Sequence, residues 1–295
     1  MEFALHVRTY LWRQTPAGNG HLFTGPKMRI VTTSWDDGDR ADVKIADMLG
    51  ERGLAGTFYV PLTADIAAVR LSNSQLLSLS AEGFEIGGHT FSHRTLPRLS
   101  LEELRREVRT CKDALEQITG KQVSMFCYPN GRYNQNAITE LKRAGYKGAR
   151  TTRMLSCSPD FSPFAMPVTL QAYPLSRNAY LRNLLRMPQI RRWRLYASEG
   201  HNCSDWVQLA KQLFDRVLRS GGVWHLYGHS WEIESLGLWG KVKEVLDYVH
   251  GHKDVVYVSN GDLLRLRQDG YIRDSKGSHP PMQHDNAKPM SSLNR

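Results

Sequence analysis

The segment Glu85–His93, with the sequence EIGGHTFSH, carries the signals that decide the fold of this chain. A short apolar run ends just before His89, and His93 follows four residues later. An earlier apolar run ends in the same way at the acidic pair Asp36 and Asp37. Apolar runs of this length indicate buried strands. The sequence therefore predicts two buried strands that each deliver chemically active side chains at their end.

Strand and helix patterns alternate over most of the chain, which predicts βαβ units with parallel pairing. About seven such units in roughly 240 residues favour a closed or nearly closed barrel, an α/β fold with outer helices whose strand ends converge on one rim. The predicted strands cover residues 29–35, 56–60, 84–88, 124–128, 147–151, 223–227 and 255–258. The predicted helices cover residues 40–52, 74–82, 100–118, 134–145, 204–219 and 236–250.

One domain flanked by two irregular segments is expected. Residues 1–27 lack periodicity and are expected to form an irregular arm. Residues 28–270 are expected to form the barrel, with a basic insertion at about 174–200. Residues 271–295 are polar and aperiodic, which is typical of a disordered tail.

Composition narrows the class of protein. A content of 41% hydrophobic and 23% charged residues is typical of a soluble globular chain. The longest apolar runs are too short to span a membrane, and the first residues do not resemble a secretory signal, so we expect a cytoplasmic location. The four cysteines are widely spaced without a CxxC pair, so we expect reduced, buried thiols.

The net charge of +10 is partly local. Part of it lies in the basic insertion at about 174–200. This basic segment could present a solvated face, or it could contact an anionic lipid head group, a nucleotide-sugar or a polyanionic glycan. No nucleic-acid-binding motif accompanies the charge, so we do not expect a nucleic-acid partner. Six arginines crowd this basic segment: Arg177, Arg182, Arg186, Arg191, Arg192 and Arg194.

The two strand ends together suggest a metal site. Two histidines and one aspartate form the ligand set of a catalytic zinc with an open coordination position, and the second aspartate would be left to act as a base. Each feature also has a plainer interpretation. A histidine pair at this spacing is more often structural, and an acidic pair ahead of a helix often serves as its N-cap.

Four motifs resemble those of the NodB-homology polysaccharide deacetylases, carbohydrate esterase family four. They are SWDDG at Ser34–Gly38, HTFSH at His89–His93, FCYPNGRYN at Phe126–Asn134 and WHLYGHSWE at Trp224–Glu232. The resemblance covers residues 28–270. It implies a distorted (β/α) barrel, one divalent metal ion with zinc expected, and removal of N- or O-acetyl groups from sugars.

The resemblance also implies a role for each matching residue. Asp37, His89 and His93 would hold the metal. Asp36 would be the general base that takes a proton from water. His229 would be the general acid that protonates the departing nitrogen, since an amide needs such a donor and histidine titrates near neutral pH.

Several of these assignments have alternatives. His225 lies on the same strand face as His229 and competes for the acid role, but His229 is nearer the rim. Asn130 occupies the position whose backbone N–H faces the oxyanion, or it simply forms a turn. Tyr128 and Trp231 are candidate walls for a sugar ring, or ordinary core residues.

Two departures from the family pattern indicate a variant branch with altered third and fourth motifs. Cys127 stands where the family commonly has an arginine that orients the base. Arg150 or Arg132 could supply a guanidinium instead, and Arg150 is also a candidate substrate-binding residue. The fourth motif, which offers an aspartate to tune the acid histidine, has no clear match, and Glu232 or Glu234 could replace it.

The sequence therefore predicts a metal-dependent N-deacetylase acting on a sugar in glycan, lipid-linked or nucleotide-linked form. An anionic carrier would suit the basic segment, with peripheral contact to a membrane. Two alternatives are a hydrolase of a small non-sugar amide and a catalytically silent glycan-binding barrel. Because a binding protein has no need of Asp36 and His229 together, the enzyme is favoured.

Overall fold

The structure is a computed structural model that describes residues 28–63, 69–186, 189–199 and 205–272. Its strands are β1 Arg29–Asp36, β2 Thr57–Val60, β3 Glu85–Gly88, β4 Met125–Cys127, β5 Gly148–Arg150, β6 Leu170–Gln171, β7 Gly222–Gly228 and β8 Val256–Tyr257. Its helices are α1 Asp42–Gly50, α2 Asn73–Ala81, α3 Leu101–Thr119, α4 Gln135–Arg143, α5 Arg177–Arg186, α6 Ile190–Glu199, α7 Trp206–Ser220, α8 Ser230–Ser235, α9 Trp239–Val249 and α10 Asn260–Gln268.

The strands form one parallel sheet in the order β5-β4-β3-β2-β1-β7-β6, and β8 pairs with the beginning of β1. Strand β1 lies in the interior of the sheet, between β2 and β7, and is buried along nearly all of its length. The two ends of the sheet approach each other, because Arg150 at the end of β5 forms a parallel bridge with Met166, shortly before β6. The predicted (β/α) barrel is confirmed as a curled parallel sheet with helices around it.

Most predicted elements are present with shifts of one to three residues. The predicted capping box is formed, since the Ser100 side chain accepts from the Glu103 backbone while the Glu103 side chain accepts from the Ser100 backbone. Strand β6, of two residues, was not predicted. Helix α10 was not predicted because its first residues, Asn260 and Gly261, have the composition of a turn.

The basic segment forms the helices α5 and α6, which the sequence did not predict. Their buried side chains are Tyr180, Leu184, Arg192 and Leu195. Arg192 therefore does not belong to a solvated basic face, and its Nε donates to the backbone carbonyl of Met154 at 2.6 Å.

Parts of the predicted organisation lie outside the described residues, namely the arm at 1–27 and the tail from residue 273 onward. Within the described ranges, none of the helices combines the length and the apolar character needed to cross a membrane.

Gly87 allows β3 to pack closely beneath the site. A Cβ at this position would lie 2.5 Å from ring carbons of Tyr59. That ring cannot move away easily, because it is fully buried and its hydroxyl accepts a hydrogen bond from the Asn260 amide at 2.9 Å. The glycine is therefore required by packing in the strand that leads to His89.

We expect Gly87→Ala to lower the free energy of unfolding by about 1–3 kcal/mol, the usual cost of overpacking a core. Urea unfolding followed by circular dichroism measures this. Gly240→Ala, in α9, is the matched control because its added Cβ meets nothing within 4 Å. A helical Gly→Ala change of this kind is expected to be neutral or to stabilise by about 0.5–1 kcal/mol. Equal stabilities of the two variants would contradict the packing argument.

Candidate active site

One cleft of about 700 Å³ opens at the carboxyl ends of the strands. All the predicted site residues except Arg150 line it. Its lining residues include Asp36, Asp37, His89, His93, Thr95, Arg98, Tyr128, Asn130, Arg132, Thr152, Gln171, Asn183, Arg186, His229, Trp231 and Glu232. Motifs that lie far apart in the sequence therefore meet in one place, as expected for the rim of a parallel barrel.

The two neighbouring aspartates reach the same cleft because of the backbone at Asp37. Successive side chains of a strand point to opposite faces, so Asp36 and Asp37 would normally diverge. Asp37 follows the last residue of β1 and adopts a left-handed conformation with φ of 80°. Its N–H donates to the carbonyl of Tyr59 in β2 at 3.1 Å, which holds this turn.

His89 is oriented by a backbone carbonyl. Its Nδ1 lies 2.8 Å from the carbonyl oxygen of Cys127 in β4. A carbonyl only accepts, so Nδ1 donates this bond and Nε2 is the nitrogen that faces Asp37. That Nε2 lies 3.5 Å from Oδ1 of Asp37. Burial would lower the pKa of His89, but its contacts with Cys127 and Asp37 raise it above its usual value. Fixing a ligand histidine through its other nitrogen is typical of metal sites.

His93 is positioned by the loop after β3. His93 has φ of 55°, and its Nε2 lies 3.4 Å from Oδ1 of Asp37. Glu107 of α3 holds the loop, since its carboxylate accepts from the backbone N–H of Ser92 at 2.8 Å and from the Ser92 hydroxyl. The spacing of four residues therefore comes from an irregular loop rather than from a helical turn.

The donor set of Asp37, His89 and His93 fits a divalent ion. One carboxylate oxygen and one nitrogen of each histidine lie within 4.8 Å of one another, and Oδ1 of Asp37 is buried without a hydrogen-bond partner. Burial alone would raise the pKa of Asp37, but its contacts with His89, His229 and Trp231 lower that pKa below its usual value. Burial, together with the charge of His89, lowers the pKa of His93 to about 4. An ionised carboxylate and a neutral imidazole are the forms that bind metals.

A second set of possible donors consists of Asp36, His89 and Cys127. It fits an ion less well, because Asp36 is already paired with an arginine and His89 uses its Nδ1 on the Cys127 carbonyl. Burial raises the pKa of the Cys127 thiol, which disfavours the thiolate that a metal requires.

The structure places Arg150 behind Asp36. The Arg150 guanidinium donates to Oδ1 of Asp36, and both side chains are buried. The charge of Asp36 raises the pKa of Arg150 against the opposing effect of burial. Arg150 is fully buried and does not line the cleft, so the expected contact with substrate is replaced by a contact with Asp36. Arg132, the other candidate for this contact, is exposed in the cleft rim.

His229 lies opposite the aspartates. Its Nε2 is 3.9 Å from Oδ2 of Asp36 and also 3.9 Å from Oδ2 of Asp37. Its Nδ1 lies 2.7 Å from Glu232, whose carboxylate also accepts from the Gln171 amide at 3.1 Å. Burial would lower the pKa of His229, but the bond to Glu232 and the charges of the aspartates raise it above its usual value.

The other two candidates near His229, His225 and Glu234, do not line the cleft. His225 is buried beneath the site, where its Nε2 lies 2.9 Å from the Ser34 hydroxyl. Burial and the charge of Arg150 lower the pKa of His225 to about 3, so it stays neutral. Glu234 accepts from the Trp239 indole at the surface, away from His229.

Trp231, Tyr128 and Asn130 also line the cleft. Trp231 is half-buried in the cleft and donates from its indole to Oδ2 of Asp37 at 2.9 Å. Tyr128 lines the cleft but is nearly fully buried, and its ring stacks on Tyr133 at 4.4 Å. Asn130 is exposed in the cleft in a left-handed conformation with φ of 57°.

Two supporting residues, Gln171 and Glu107, were not predicted from the sequence. Gln171 lies in the unpredicted strand β6 and connects Glu232 to the Tyr227 hydroxyl, which donates to it at 2.8 Å. Glu107 lies on the buried face of α3. A charged residue among the apolar positions of an amphipathic helix was the available signal, since buried carboxylates are rare without partners.

Residues 24–149 match the polysaccharide deacetylase family. The predicted resemblance is confirmed for this segment. Over 124 residues the chain is 30% identical to the peptidoglycan-N-acetylmuramic acid deacetylase PdaA of Bacillus subtilis, covering 41% of this chain and 46% of that protein. Over 136 residues it is 28% identical to a chitin deacetylase of Pestalotiopsis, covering 45% of each.

Solved structures share the fold over a longer range. A Mycobacterium smegmatis protein aligns with a TM-score of 0.61 at 15% identity, over 91% of this chain and 100% of that chain. The chitin deacetylase of Colletotrichum lindemuthianum aligns with a TM-score of 0.54 at 15% identity, over 88% and 96%.

The sequence match has a limited extent. The chain spans about half or less of the length of the relatives it matches first. The family segment ends one residue before Arg150, so the placement of Arg150, His229 and Glu232 in the site comes from the structure.

We expect Arg150→Met to lower the free energy of unfolding by about 3–5 kcal/mol, because it leaves the buried carboxylate of Asp36 unpaired. Asp36→Asn combined with Arg150→Met should cost clearly less than the sum of the two single changes. Urea unfolding of the four proteins in this double-mutant cycle measures the coupling. Additive losses would show that the two side chains do not depend on each other.

Proposed function

We propose that this protein is a metal-dependent hydrolase that removes an N-acetyl group from a sugar. The observation that carries the proposal is the arrangement of one cleft. There, the donor set of Asp37, His89 and His93 lies beside a carboxylate, Asp36, and a histidine, His229, that face each other at 3.9 Å. The family match and the deacetylase names of the relatives support this proposal.

A divalent ion, with zinc as the expected choice, would polarise the acyl oxygen and make a water molecule a stronger acid when bound to Asp37, His89 and His93. The Cys127 carbonyl orients His89, and the lowered pKa of Asp37 keeps that carboxylate ionised.

Asp36 acts as the general base. It accepts a proton from the water whose oxygen attacks the acyl carbon, and a tetrahedral intermediate forms on the substrate. Arg150 holds the carboxylate through Oδ1. The other oxygen, Oδ2, lies 3.9 Å from Nε2 of His229 and accepts a long hydrogen bond of 3.6 Å from the Cys127 thiol. One oxygen is thus used for orientation and the other remains for proton transfer.

His229 acts as the general acid. When the intermediate collapses, the carbon–nitrogen bond breaks and the nitrogen takes the proton from Nε2 of His229. Acetate and a free amino group are the products. The bond from Nδ1 to Glu232 keeps Nε2 directed at the cleft, and the raised pKa of His229 keeps it protonated until that step. Glu232 therefore positions the acid and stabilises its charged form.

The size of the cleft favours a sugar over a small amide. A volume of about 700 Å³ lies within the range of pockets that enclose ligands much larger than a simple amide. Trp231 adds a half-buried aromatic surface suited to a sugar ring. The cytoplasmic location, the lipid-linked carrier and the membrane contact expected from the sequence stay predictions.

We expect Asp36→Asn and His229→Gln each to lower kcat for acetate release from an N-acetylglucosamine oligomer by about 10²–10⁴-fold, because each removes one proton transfer. Release of acetate with the purified, metal-loaded protein measures this. His250→Gln, at an exposed histidine distant from the cleft, is the matched control. Activities of both cleft variants within threefold of the control would disprove the assigned roles.

We expect a chelator to abolish acetate release and added zinc to restore it. His93→Ala should weaken zinc binding by at least about 100-fold, since a lost ligand costs no less than a disturbed outer contact. Elemental analysis after dialysis and calorimetric titration with zinc measure this, with His250→Ala as the control. A His93→Ala protein that keeps full zinc content would remove His93 from the ligand set.

A further inference from the structure

Three arginines line the cleft besides the groups used in catalysis. Arg98, Arg132 and Arg186 are exposed and belong to three separate segments of the chain. Arg98 ends the 3₁₀ turn after β3, Arg132 follows the turn after β4, and Arg186 is the last residue of α5. The fold therefore brings three like charges to one rim.

The acidic side chains of the cleft have partners, whereas its three exposed arginines do not form ion pairs within the described residues. Its three carboxylates are each engaged with a partner within the catalytic arrangement. By contrast, none of the three rim arginines forms an ion pair with any residue in the described part of the chain. Arg94, close to Arg98 in sequence, differs from them, because it forms an ion pair with Glu103 at 2.9 Å. Exposed arginines that converge without acidic partners leave a positive potential over the cleft.

Arg98 and Arg132 lie on two loops that are joined by a hydrogen bond. Nδ2 of Asn130 donates to the hydroxyl of Thr95 at 3.2 Å. Thr95 precedes Arg98 by three residues, and Asn130 precedes Arg132 by two. This bond fixes the loop after β3 against the loop after β4, which are neighbouring strands.

The third arginine, Arg186, lies on a helix that is hydrogen-bonded to the loop after β5. Nδ2 of Asn183 donates to the carbonyl of Thr152 at 2.8 Å, and its Oδ1 accepts from the N–H of Met154 at 3.1 Å. Asn183 and Arg186 are three residues apart in α5 and so share a face of that helix. The loop after β5 thus holds the helix that carries Arg186, so the three arginines lie beside the loops that follow the consecutive strands β3, β4 and β5.

We propose that Arg98, Arg132 and Arg186 form an anion-binding subsite, and that the acetylated sugar taken by this enzyme carries a phosphate or carboxylate group. The proposal rests on the proposed function, because it names the chemical class of that substrate. The planar guanidinium group pairs well with both anions. The subsite lies on the β3–β5 side of the cleft, whereas His229 follows β7 on the other side of β1. Only Arg186 of the basic segment takes part.

The test compares the binding of three probes by calorimetry: N-acetylglucosamine 1-phosphate, N-acetylmuramic acid and neutral N-acetylglucosamine. We expect the wild-type protein to bind a charged probe at least tenfold more tightly than the neutral one. The R98Q/R132Q/R186Q protein should lose this preference. R182Q, at an exposed arginine of α5 outside the cleft lining, should keep it. Whichever charged probe binds more tightly identifies phosphate or carboxylate as the source of the anion.

Two outcomes would overturn the subsite. The first is equal affinity of wild-type protein for charged and neutral probes. The second is a preference that survives in the triple variant, since the anion would then bind elsewhere in the cleft. A preference carried by these exposed arginines should also shrink as salt is raised from 50 to 500 mM, and a salt-independent preference would argue against them.

Acetate release from the same probes separates this inference from the proposed function. Release of acetate from the neutral sugar, without any preference for charged sugars, would contradict the anion-binding subsite but would still support the deacetylase activity. Failure of the metal-loaded protein to release acetate from all three probes, and from an N-acetylglucosamine oligomer, would overturn the deacetylase. The binding ratio would still decide whether the arginines select an anion.

Discussion

The buried ion pair between Arg150 and Asp36 is the interaction on which the cleft depends. The two residues lie at the carboxyl ends of β5 and β1, four positions apart in the sheet. In a flat sheet four strand spacings would separate them by about 19 Å. Direct contact is possible only because the sheet curls. The guanidinium also lies 5.2 Å from the ring of Tyr59 and 4.8 Å from the ring of Tyr227, so aromatic faces supply part of the solvation lost by burial.

The backbone of the cleft holds conformations that ordinary residues seldom adopt. Asp37, His93 and Asn130 all have positive φ and all line the cleft. Such conformations cost of the order of 1 kcal/mol or more each and persist only where the surroundings fix them. Here the Tyr59 carbonyl and the Glu107 carboxylate provide fixed partners for the turns at Asp37 and His93. Folding thus concentrates local strain in the cleft, at the turns that carry Asp37 and His93.

The sequence was sufficient for the order of strands and helices and for most of the cleft, because alternating patterns and strand-end residues depend on local composition. It was insufficient where the outcome depends on packing between distant segments. The left-handed turn at Asp37, the choice of Glu232 over Glu234 and the orientation of Trp231 towards Asp37 are examples. Arg150 was a candidate for two roles, and only its full burial against Asp36 decides between them.

The position of Arg150 has a simple physical explanation in the parallel sheet. Cys127 of β4 and Arg150 of β5 are register partners, so their side chains point to the same side. Both reach Asp36, with the thiol 3.6 Å from Oδ2 and the guanidinium on Oδ1. A small side chain at Cys127 leaves room for the long side chain from the next strand. Neighbouring strands can therefore both reach the Asp36 carboxylate, and the charge that holds it comes from β5, the strand that carries the arginine.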